Sequence, residues 1–324
     1  MSQIAIGLMG LTAALVASVG PGAAQDYPAK ASRMIVPSPP GGGTDLLSRG
    51  VANKLSESLK QPFVIENKPG AGGNIGVDLA AKSAADGYTI VMGQTSNMAV
   101  NATLYPKLPY DPLKDLTPIA LVADSPILMV VSAESPYRTL ADIIAAAKAK
   151  PEAVTFASPG NGTVAHLSSE LLQGAAGIKF QHIPYKGAAP AITDLLGGRV
   201  DLLMSSVPTL LGHVKGGKLR AIALTGPKRS PVLPETPTVA ESGFPGFDAN
   251  TWFGILVPTG TPAAIVNRLH GVVTDAMQAP DMKAQMDEMG VTIASGGPAQ
   301  FGEFLKREIA LWRPIVKQSG ARVD

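Results

Sequence analysis

Short apolar runs alternate along most of the chain with segments in which apolar residues recur every three or four positions. The first run, 32–36, contains β-branched residues, and after it Leu47, Val51, Leu55 and Leu59 return at the spacing of one buried helical face. Repeated alternation of this kind predicts α/β structure, in which parallel strands are covered by helices on both faces.

The pattern assigns strands and helices to most of the chain. Strands are predicted at 32–36, 63–66, 88–93, 154–157, 180–184, 200–204, 219–225, 252–257 and 291–294. Helices are predicted at 44–59, 74–83, 140–149, 163–175, 190–196, 208–214, 262–277, 282–289 and 298–318. Between residues 101 and 118 four prolines predict an ordered, extended connection without regular structure.

Two long apolar segments, 119–131 and 247–257, bracket a middle block with its own α/β pattern. The simplest topology makes lobe one from residues 25–123 and 248–324 and lobe two from residues 124–247. Two crossing strands between two α/β lobes would form a hinge, and the cleft between the lobes could close on a small ligand.

Composition excludes several classes of protein. The 324 residues are 45% hydrophobic and 16% charged, which is typical of a well-packed protein, and the length suits two domains. The net charge is +2 without any run of Lys or Arg, so nucleic acid binding is poorly supported. Cysteine is absent, which leaves no disulfide or thiolate nucleophile, and no cofactor or metal motif is found.

Residues 1–24 are predicted to be a secretory signal peptide. An Ala-rich apolar run ends in the small residues 20–24, as expected before a signal-peptidase site near Ala24, although no Lys or Arg precedes the run. A membrane anchor is the alternative, but the uninterrupted apolar length is short for a span. We therefore expect an exported, periplasmic protein.

The stretch 37–47, PSPPGGGTDLL, joins the first predicted strand to the first predicted helix. Its glycines allow close backbone approach, and the free N–H groups at a helix N-terminus favour an anion. The alternative is that the glycines only make a tight connection. The later GAGGNIG at 70–76 lacks the third glycine of a dinucleotide fingerprint, because Ile75 stands there, and we interpret it as a turn.

Several motifs, taken together in order, resemble one family. They are PSPPGGGTDLLSR at 37–49, ENKPGAGGNIGVDLAAKSAADGYTI at 66–90, LPYDPLKDLTPIALV at 108–122, FASPGNGTVAHL at 156–167, HIPYKGAAPAITDLLGGRVDLL at 182–203, GKLRAIALTGPKRSPVLPETPTVAESGFPGF at 217–247 and WFGILVPTGTP at 252–262. The chain resembles the TctC/Bug family, the extracytoplasmic solute-binding proteins of tripartite tricarboxylate transporters, over about residues 26–324.

This resemblance implies a monomeric type II-like periplasmic binding protein, with two parallel-sheet α/β lobes and a ligand cleft between them. It also implies capture of a tricarboxylate, dicarboxylate, acidic amino acid or aromatic acid for a membrane permease, or in some members for a sensor kinase. The expected ligand-binding residues lie on turns of both lobes: Ser38, Pro39, Gly42, Gly43, Thr44, Asp45, Thr95, Ser96, Asn97, Ser158, Gly160, Asn161, Thr163, His166, Tyr185, Lys186, Gly187 and Ser205.

The roles of several of these residues remain open at this point. Asp45 either reaches the ligand through ordered waters, as the resemblance implies, or only favours the helix dipole. Thr44 and Thr163 are N-caps, ligand donors or both, and one of Ser96 and Asn97 is expected to touch ligand. His166 either donates to a carboxylate or is a buried histidine satisfied by backbone. Lys186 either pairs with a ligand carboxylate or lies in a turn exposed to solvent, and we slightly favour the solvated turn.

Two positions depart from the commoner family pattern. Ser38 stands where an aromatic residue often precedes the Pro-Pro pair, and Ser205-Ser206 replace a frequent Asp-Asn. These smaller, neutral side chains suggest a larger or more varied guest, for example an aromatic carboxylate such as terephthalate.

An enzyme, such as a hydrolase using a cleft hydroxyl with His166, is the competing class. The chain has no G-x-S-x-G, H-E-x-x-H or P-loop motif, so we expect a binding protein without catalytic residues.

Overall fold

The computed structural model describes residues 27–323, so the predicted signal peptide lies outside the described residues. Its strands are β1 (Ser32–Val36), β2 (Phe63–Asn67), β3 (Thr89–Gln94), β4 (Leu116–Ser132), β5 (Thr155–Ser158), β6 (Gln181–Pro184), β7 (Leu202–Ser206), β8 (Leu219–Leu224), β9 (Asn250–Pro258) and β10 (Thr292–Ile293). Its helices are α1 (Gly43–Leu59), α2 (Asn74–Ala81), α3 (Asn101–Leu104), α4 (Leu140–Ala149), α5 (Val164–Ala176), α6 (Ala188–Leu196), α7 (Val207–Lys215), α8 (Ala263–Gln278), α9 (Pro280–Met289) and α10 (Pro298–Ser319).

The strands form one continuous order, β2-β1-β3-β9-β4-β7-β5-β6, with β8 and β10 also paired to β4. Strands β1, β2 and β3 are parallel to one another, and so are β5, β6 and β7. The predicted α/β class with parallel strands is therefore confirmed. The long strands β4 and β9 run antiparallel to their neighbours and join the two parallel sets.

Strand β4 changes partners along its length. Its first part, up to Pro126, pairs with β9, and its second part, from Ile127, pairs with β7 and β8. We call the strands β1, β2, β3, β9, β10 and the first part of β4, with α1–α3, α8–α10 and the turn 96–100, lobe one; the remaining elements form lobe two. The change lies close to the boundary placed at 123/124 from sequence, which remains a prediction.

The predicted connection 101–118 contains more regular structure than the prolines suggested. Residues Ser96–Val100 form a π-helical turn that continues into α3, and β4 begins at Leu116. Three of the four prolines, Pro106, Pro109 and Pro112, lie in the irregular segment between α3 and β4, whereas Pro118 lies within β4. The expectation of no regular structure was wrong at both ends of the segment. Residues 101–104 precede the first proline and form α3, and β4 accommodates Pro118.

The apolar core runs through both lobes. One buried cluster combines Ile35 and Val91 of lobe one with Phe156 and Leu202 of lobe two. Helix α10 adds Phe301, Leu305, Ile309, Trp312 and Val316, which recur every three or four residues and cover the junction near β4. None of the helices within 27–323 combines the length and apolar character needed to cross a bilayer.

Candidate functional site

The turn between β1 and α1 is built around the carboxylate of Asp45. Gly41 has a φ of +80°, and its N–H donates to Asp45 Oδ2 at 2.9 Å. Arg49 donates to both carboxylate oxygens at 3.0 Å, and Asn67 Nδ2 donates to Oδ1 at 2.9 Å. Burial opposes ionisation, but the hydrogen bonds from Arg49, Gly41 and Asn67 prevail and hold the pKa of Asp45 below its usual value. Asp45 therefore fixes the turn as a charged residue whose negative charge is compensated by Arg49.

The turn after β3 directs its side chains mainly into the protein. Thr95 Oγ1 accepts from the N–H of Trp252 at 2.9 Å, and Asn97 Oδ1 accepts from the N–H of Gln94 at 3.0 Å. The hydroxyl of Ser96 accepts from the N–H of Val164 in lobe two at 3.3 Å. Thr95 thus holds β9, whereas Ser96 reaches across to the other lobe.

The turn after β5 rests on two histidines. Ser158 Oγ lies 2.7 Å from His182 Nε2, and Gly162 N–H donates to His166 Nδ1 at 3.1 Å. The two imidazoles stack with centroids 4.1 Å apart. Burial and the neighbouring His182 lower the pKa of His166 to about 3, and burial lowers the pKa of His182 to about 4. Both rings are therefore neutral at pH 7.

The ring of His166 lies beneath this turn, and its role toward a ligand remains a prediction. Its Nδ1 is occupied by a backbone N–H, and the ring is 6% exposed, so His166 supports the turn from beneath. Thr163 is likewise an N-cap, because its Oγ1 accepts from the N–H of His166 at 3.3 Å. Sequence reasoning assigned no role to His182, and nothing in its spacing to Ser158 could have revealed the contact.

The turn after β6 packs against the turn after β5. Gly187, with a φ of +107°, donates its N–H to the carbonyl of Pro159 at 2.9 Å. Tyr185 directs its hydroxyl to Asp194 at 2.7 Å, while Lys186 is exposed. The solvated interpretation of Lys186 agrees with this placement.

The lobes touch each other across the cleft at these turns. Gly43 N–H donates to Thr209 Oγ1 at 2.9 Å, and Thr209 Oγ1 lies 3.0 Å from Ser206 Oγ. A Cβ on Gly43 would overlap Ser206 Oγ, and a Cβ on Gly162 would overlap Leu104. Gly187 has the same relation to lobe one, because a Cβ there would lie 3.0 Å from Pro39 Cγ. The turns of the two lobes thus meet at glycines, where a larger side chain would push against the opposite lobe.

Several polar groups at these turns have no partner within residues 27–323. They include the first-turn amides of Thr44 and Asp45 and the buried hydroxyl of Ser38. Thr44 directs its own hydroxyl to Gln94 Oε1 at 2.6 Å. Unpaired N–H groups at a helix N-terminus can in general donate to an anion.

The structure brings most of the predicted residues together and adds some that sequence reasoning missed. The turns containing Ser38–Asp45, Ser158–Thr163 and Tyr185–Gly187 meet at the junction of the lobes, and their role in ligand binding remains a prediction. Ser205 is buried at the end of β7 and pairs with Leu128 of β4, whereas Ser206 faces Gly43. Thr209 was missed; its position in the first turn of a helix after a strand was the available signal.

The chain is similar to a known family, to relatives of known sequence and to solved structures. The family model described as "Tripartite tricarboxylate transporter family receptor", TctC, matches residues 47–321. Protein BugT of Bordetella pertussis is 40% identical over 98% of this chain and 98% of its own length. An R. palustris protein solved with adipate is 35% identical, with a TM-score of 0.89 over 92% of this chain and 99% of that chain. MatC from Rhodopseudomonas palustris, solved with bound malate, is 30% identical, with a TM-score of 0.84 over 90% of this chain and 100% of that chain.

Proposed function

Because the chain belongs to the TctC family of tripartite tricarboxylate transporter receptors, we propose that it is a periplasmic receptor that captures a small carboxylate in the cleft between its lobes. Residues 1–24 direct export, and a membrane permease of this transporter type receives the ligand. The protein acts as a monomer without a cofactor. The specific ligand class we favour is a dicarboxylate, which is what the similar proteins solved with adipate and malate hold.

The observation that carries this proposal is the meeting of three helix N-termini at one junction. Helices α1 of lobe one and α5 and α6 of lobe two each begin directly after a turn that follows a parallel strand. The partial positive charge of these N-termini favours a carboxylate without requiring a basic side chain, and at α1 the amides of Thr44 and Asp45 are left to donate to it. This suits a turn in which Arg49 is already bound to Asp45.

The ligand would be recognised mainly by neutral donors. The first-turn amides of Thr44 and Asp45, together with the hydroxyl of Ser38, lie on the lobe-one side. On the lobe-two side the candidate groups are Asn161 and the turn before α6, near Gly187. Asp45 contributes by holding the lobe-one turn in shape, since both its oxygens accept hydrogen bonds from the protein.

The pair of Ser158 and His182 is the feature that most resembles a nucleophile with its base. However, Ser158 is fully buried, and its hydroxyl also lies 3.2 Å from both the N–H and the carbonyl of Gly160. A hydroxyl held in this way supports the turn, so the receptor function is favoured over a hydrolase. A carboxylate-sensing role with a signalling kinase would use the same cleft and differ only in the partner.

Thermal unfolding against a panel of acids tests the proposal. The panel contains adipate, malate, succinate, citrate, aspartate, glutamate and terephthalate, with adipamide and succinamide as uncharged controls. A ligand at 100 times its dissociation constant should raise the free energy of unfolding by about 2.7 kcal/mol. We expect at least one dicarboxylate to stabilise the protein and the diamides not to. Equal effects of acids and amides, or turnover of a stabilising acid, would contradict the proposal.

A further inference from the structure

Two hydrogen bonds between the lobes share one unusual arrangement. In each, the hydroxyl of one lobe accepts from the N–H of the first residue of a helix in the other lobe. Thr209 of lobe two accepts from Gly43, the first residue of α1, and Ser96 of lobe one accepts from Val164, the first residue of α5. The caps therefore run in both directions across the junction.

Neither helix supplies this acceptor itself. The N-cap residue of α1 is Gly42, which has no side chain, and that end of α1 has no side-chain cap from its own lobe. The N-cap of α5 is Thr163, whose hydroxyl accepts from His166 and leaves the N–H of Val164 to Ser96. Both first-turn amides thus obtain a side-chain partner from the opposite lobe.

The surroundings of the two caps are closely packed. Gly43, Ser96 and Val164 are buried, and a Cβ on Gly43 would overlap the side chain of Ser206, so the start of α1 packs directly against the side chains at the start of α7. Thr209 is fixed further by its contact with the Ser206 hydroxyl at 3.0 Å. Water cannot easily replace these acceptors while the lobes stay together.

From this geometry we infer that Thr209 and Ser96 are positioning residues that hold the two lobes of the receptor closed. Their hydroxyls cap opposite helices only when the lobes meet, so they favour the closed arrangement before any ligand contact is counted. That these caps matter for ligand capture rests on the proposed function. The two hydrogen bonds between the lobes are present whether or not that function is correct.

The expected size of the effect follows from the ordinary net value of a hydrogen bond. When the lobes separate, water takes over each N–H and each hydroxyl, so only the net difference counts. Removing one cap should lower the ratio of closed to open molecules about three- to tenfold. Because the caps act on the same equilibrium from separate sites, removing both should combine the two effects approximately multiplicatively.

The chain suits a distance measurement, because it contains no cysteine that could compete for labels. Spin labels are introduced at Ser58→Cys on α1 and Ala145→Cys on α4, which are exposed positions in different lobes. Pulsed electron resonance then gives the distribution of the interlobe distance, first without added acid and then with adipate. The variants compared are Thr209→Val, Ser96→Ala and their combination.

Two matched variants control for the substitutions. Thr209→Ser keeps the hydroxyl and should retain the closed population of the wild type. Thr193→Val removes a hydroxyl that binds only a carbonyl within its own helix α6, and it should not change the interlobe distance. Unchanged melting temperatures would show that the variants remain folded.

We expect a short-distance population in the wild type without adipate, and we expect Thr209→Val and Ser96→Ala each to lower its ratio to the long-distance population about three- to tenfold. A wild type with no such population, or variants with the wild-type distribution, would overturn the inference. Failure of every acid in the panel would instead count against the proposed function, since the acid-free distances do not depend on ligand identity.

Discussion

Acid should destabilise the folded protein through the stacked histidines His166 and His182, which lie beneath the turn after β5. In the unfolded chain each imidazole has a pKa of about 6.5. In the folded protein burial lowers these pKa values to about 3 and about 4. Below pH 6.5 the unfolded chain therefore binds protons at these histidines that the folded protein does not bind. Because of this difference, the free energy of unfolding falls as the pH drops below 6.5.

The magnitude follows from the pKa difference. For each imidazole that stays neutral in the folded protein, the free energy of unfolding falls by about 1.4 kcal/mol per pH unit below 6.5. At pH 4.5 this amounts to about 2–3 kcal/mol per histidine. His166 cannot accept from Gly162 N–H once its Nδ1 is protonated, so protonation and the turn are incompatible. The combined loss from the two histidines is a large fraction of the usual free energy of unfolding, about 5–15 kcal/mol.

Urea unfolding at pH 7.5 and pH 4.5, followed by far-UV circular dichroism, measures this effect. Several buried carboxyl groups, including Glu170 and Glu308, have raised pKa values and act in the opposite direction, so variants are needed. His182→Gln keeps a side-chain amide that can hydrogen-bond Ser158 in either direction and removes the titration. We expect its loss of stability between the two pH values to be about 2–3 kcal/mol smaller than that of the wild type.

His213→Gln, on helix α7, controls for the loss of a histidine as such. The reasoning fails if His182→Gln and the wild type lose the same free energy of unfolding between pH 7.5 and pH 4.5. It also fails if His213→Gln reduces the loss as much as His182→Gln does.

Two further substitutions test the supports of the hinge and of the lobe-one turn. Glu308 accepts from the indole N–H groups of Trp252 at 2.8 Å and Trp312 at 3.1 Å. Glu308→Ala leaves both N–H groups without this partner and should lower the free energy of unfolding in urea by about 2–4 kcal/mol. Glu308→Gln keeps an acceptor oxygen and should cost less than half as much. Equal costs would contradict this role. Asp45→Asn weakens the pair with the half-exposed Arg49 but keeps an acceptor oxygen, so it should cost about 1 kcal/mol at pH 7. Because the pKa of Asp45 is lowered in the folded protein, this cost should shrink as the pH falls through that pKa, and a cost independent of pH would contradict the role.

Much of the fold could be predicted because its periodicity is local. The apolar spacing of α1 and of the strand before it places both elements, and the repeated order predicts the parallel sets. Proline was a weaker guide: it marked the irregular segment around Pro109 but did not exclude the short helix that ends at Leu104.

The site was predictable only as far as turns could be placed on sheet edges. Parallel strands end at the same edge, so the turns holding Asp45 and Ser158 were expected near one cleft. The individual contacts between the lobes depend on the geometry of the hinge, and local sequence patterns do not predict that geometry. The cap of Gly43 by Thr209 and the contact of Ser158 with His182 are long-range contacts of that kind.

The central claim is that a carboxylate binds between lobes that must close on it, and a wedge at Gly43 tests it most directly. Alanine could be accommodated by rotating Ser206, but the branched side chain of Gly43→Leu could not, because Ser206 Cβ and Thr209 Oγ1 lie 3.4 and 3.5 Å from the Cβ position. Gly212→Leu is the matched control, since a Cβ there meets nothing within 4 Å.

Isothermal titration of both variants with the most stabilising acid of the panel gives the decisive comparison. Gly43→Leu should lose at least 100-fold in affinity while its unfolding free energy stays within about 1 kcal/mol of the wild type. Gly212→Leu should bind as the wild type does. Wild-type affinity in Gly43→Leu would show that the acid binds elsewhere or without closure.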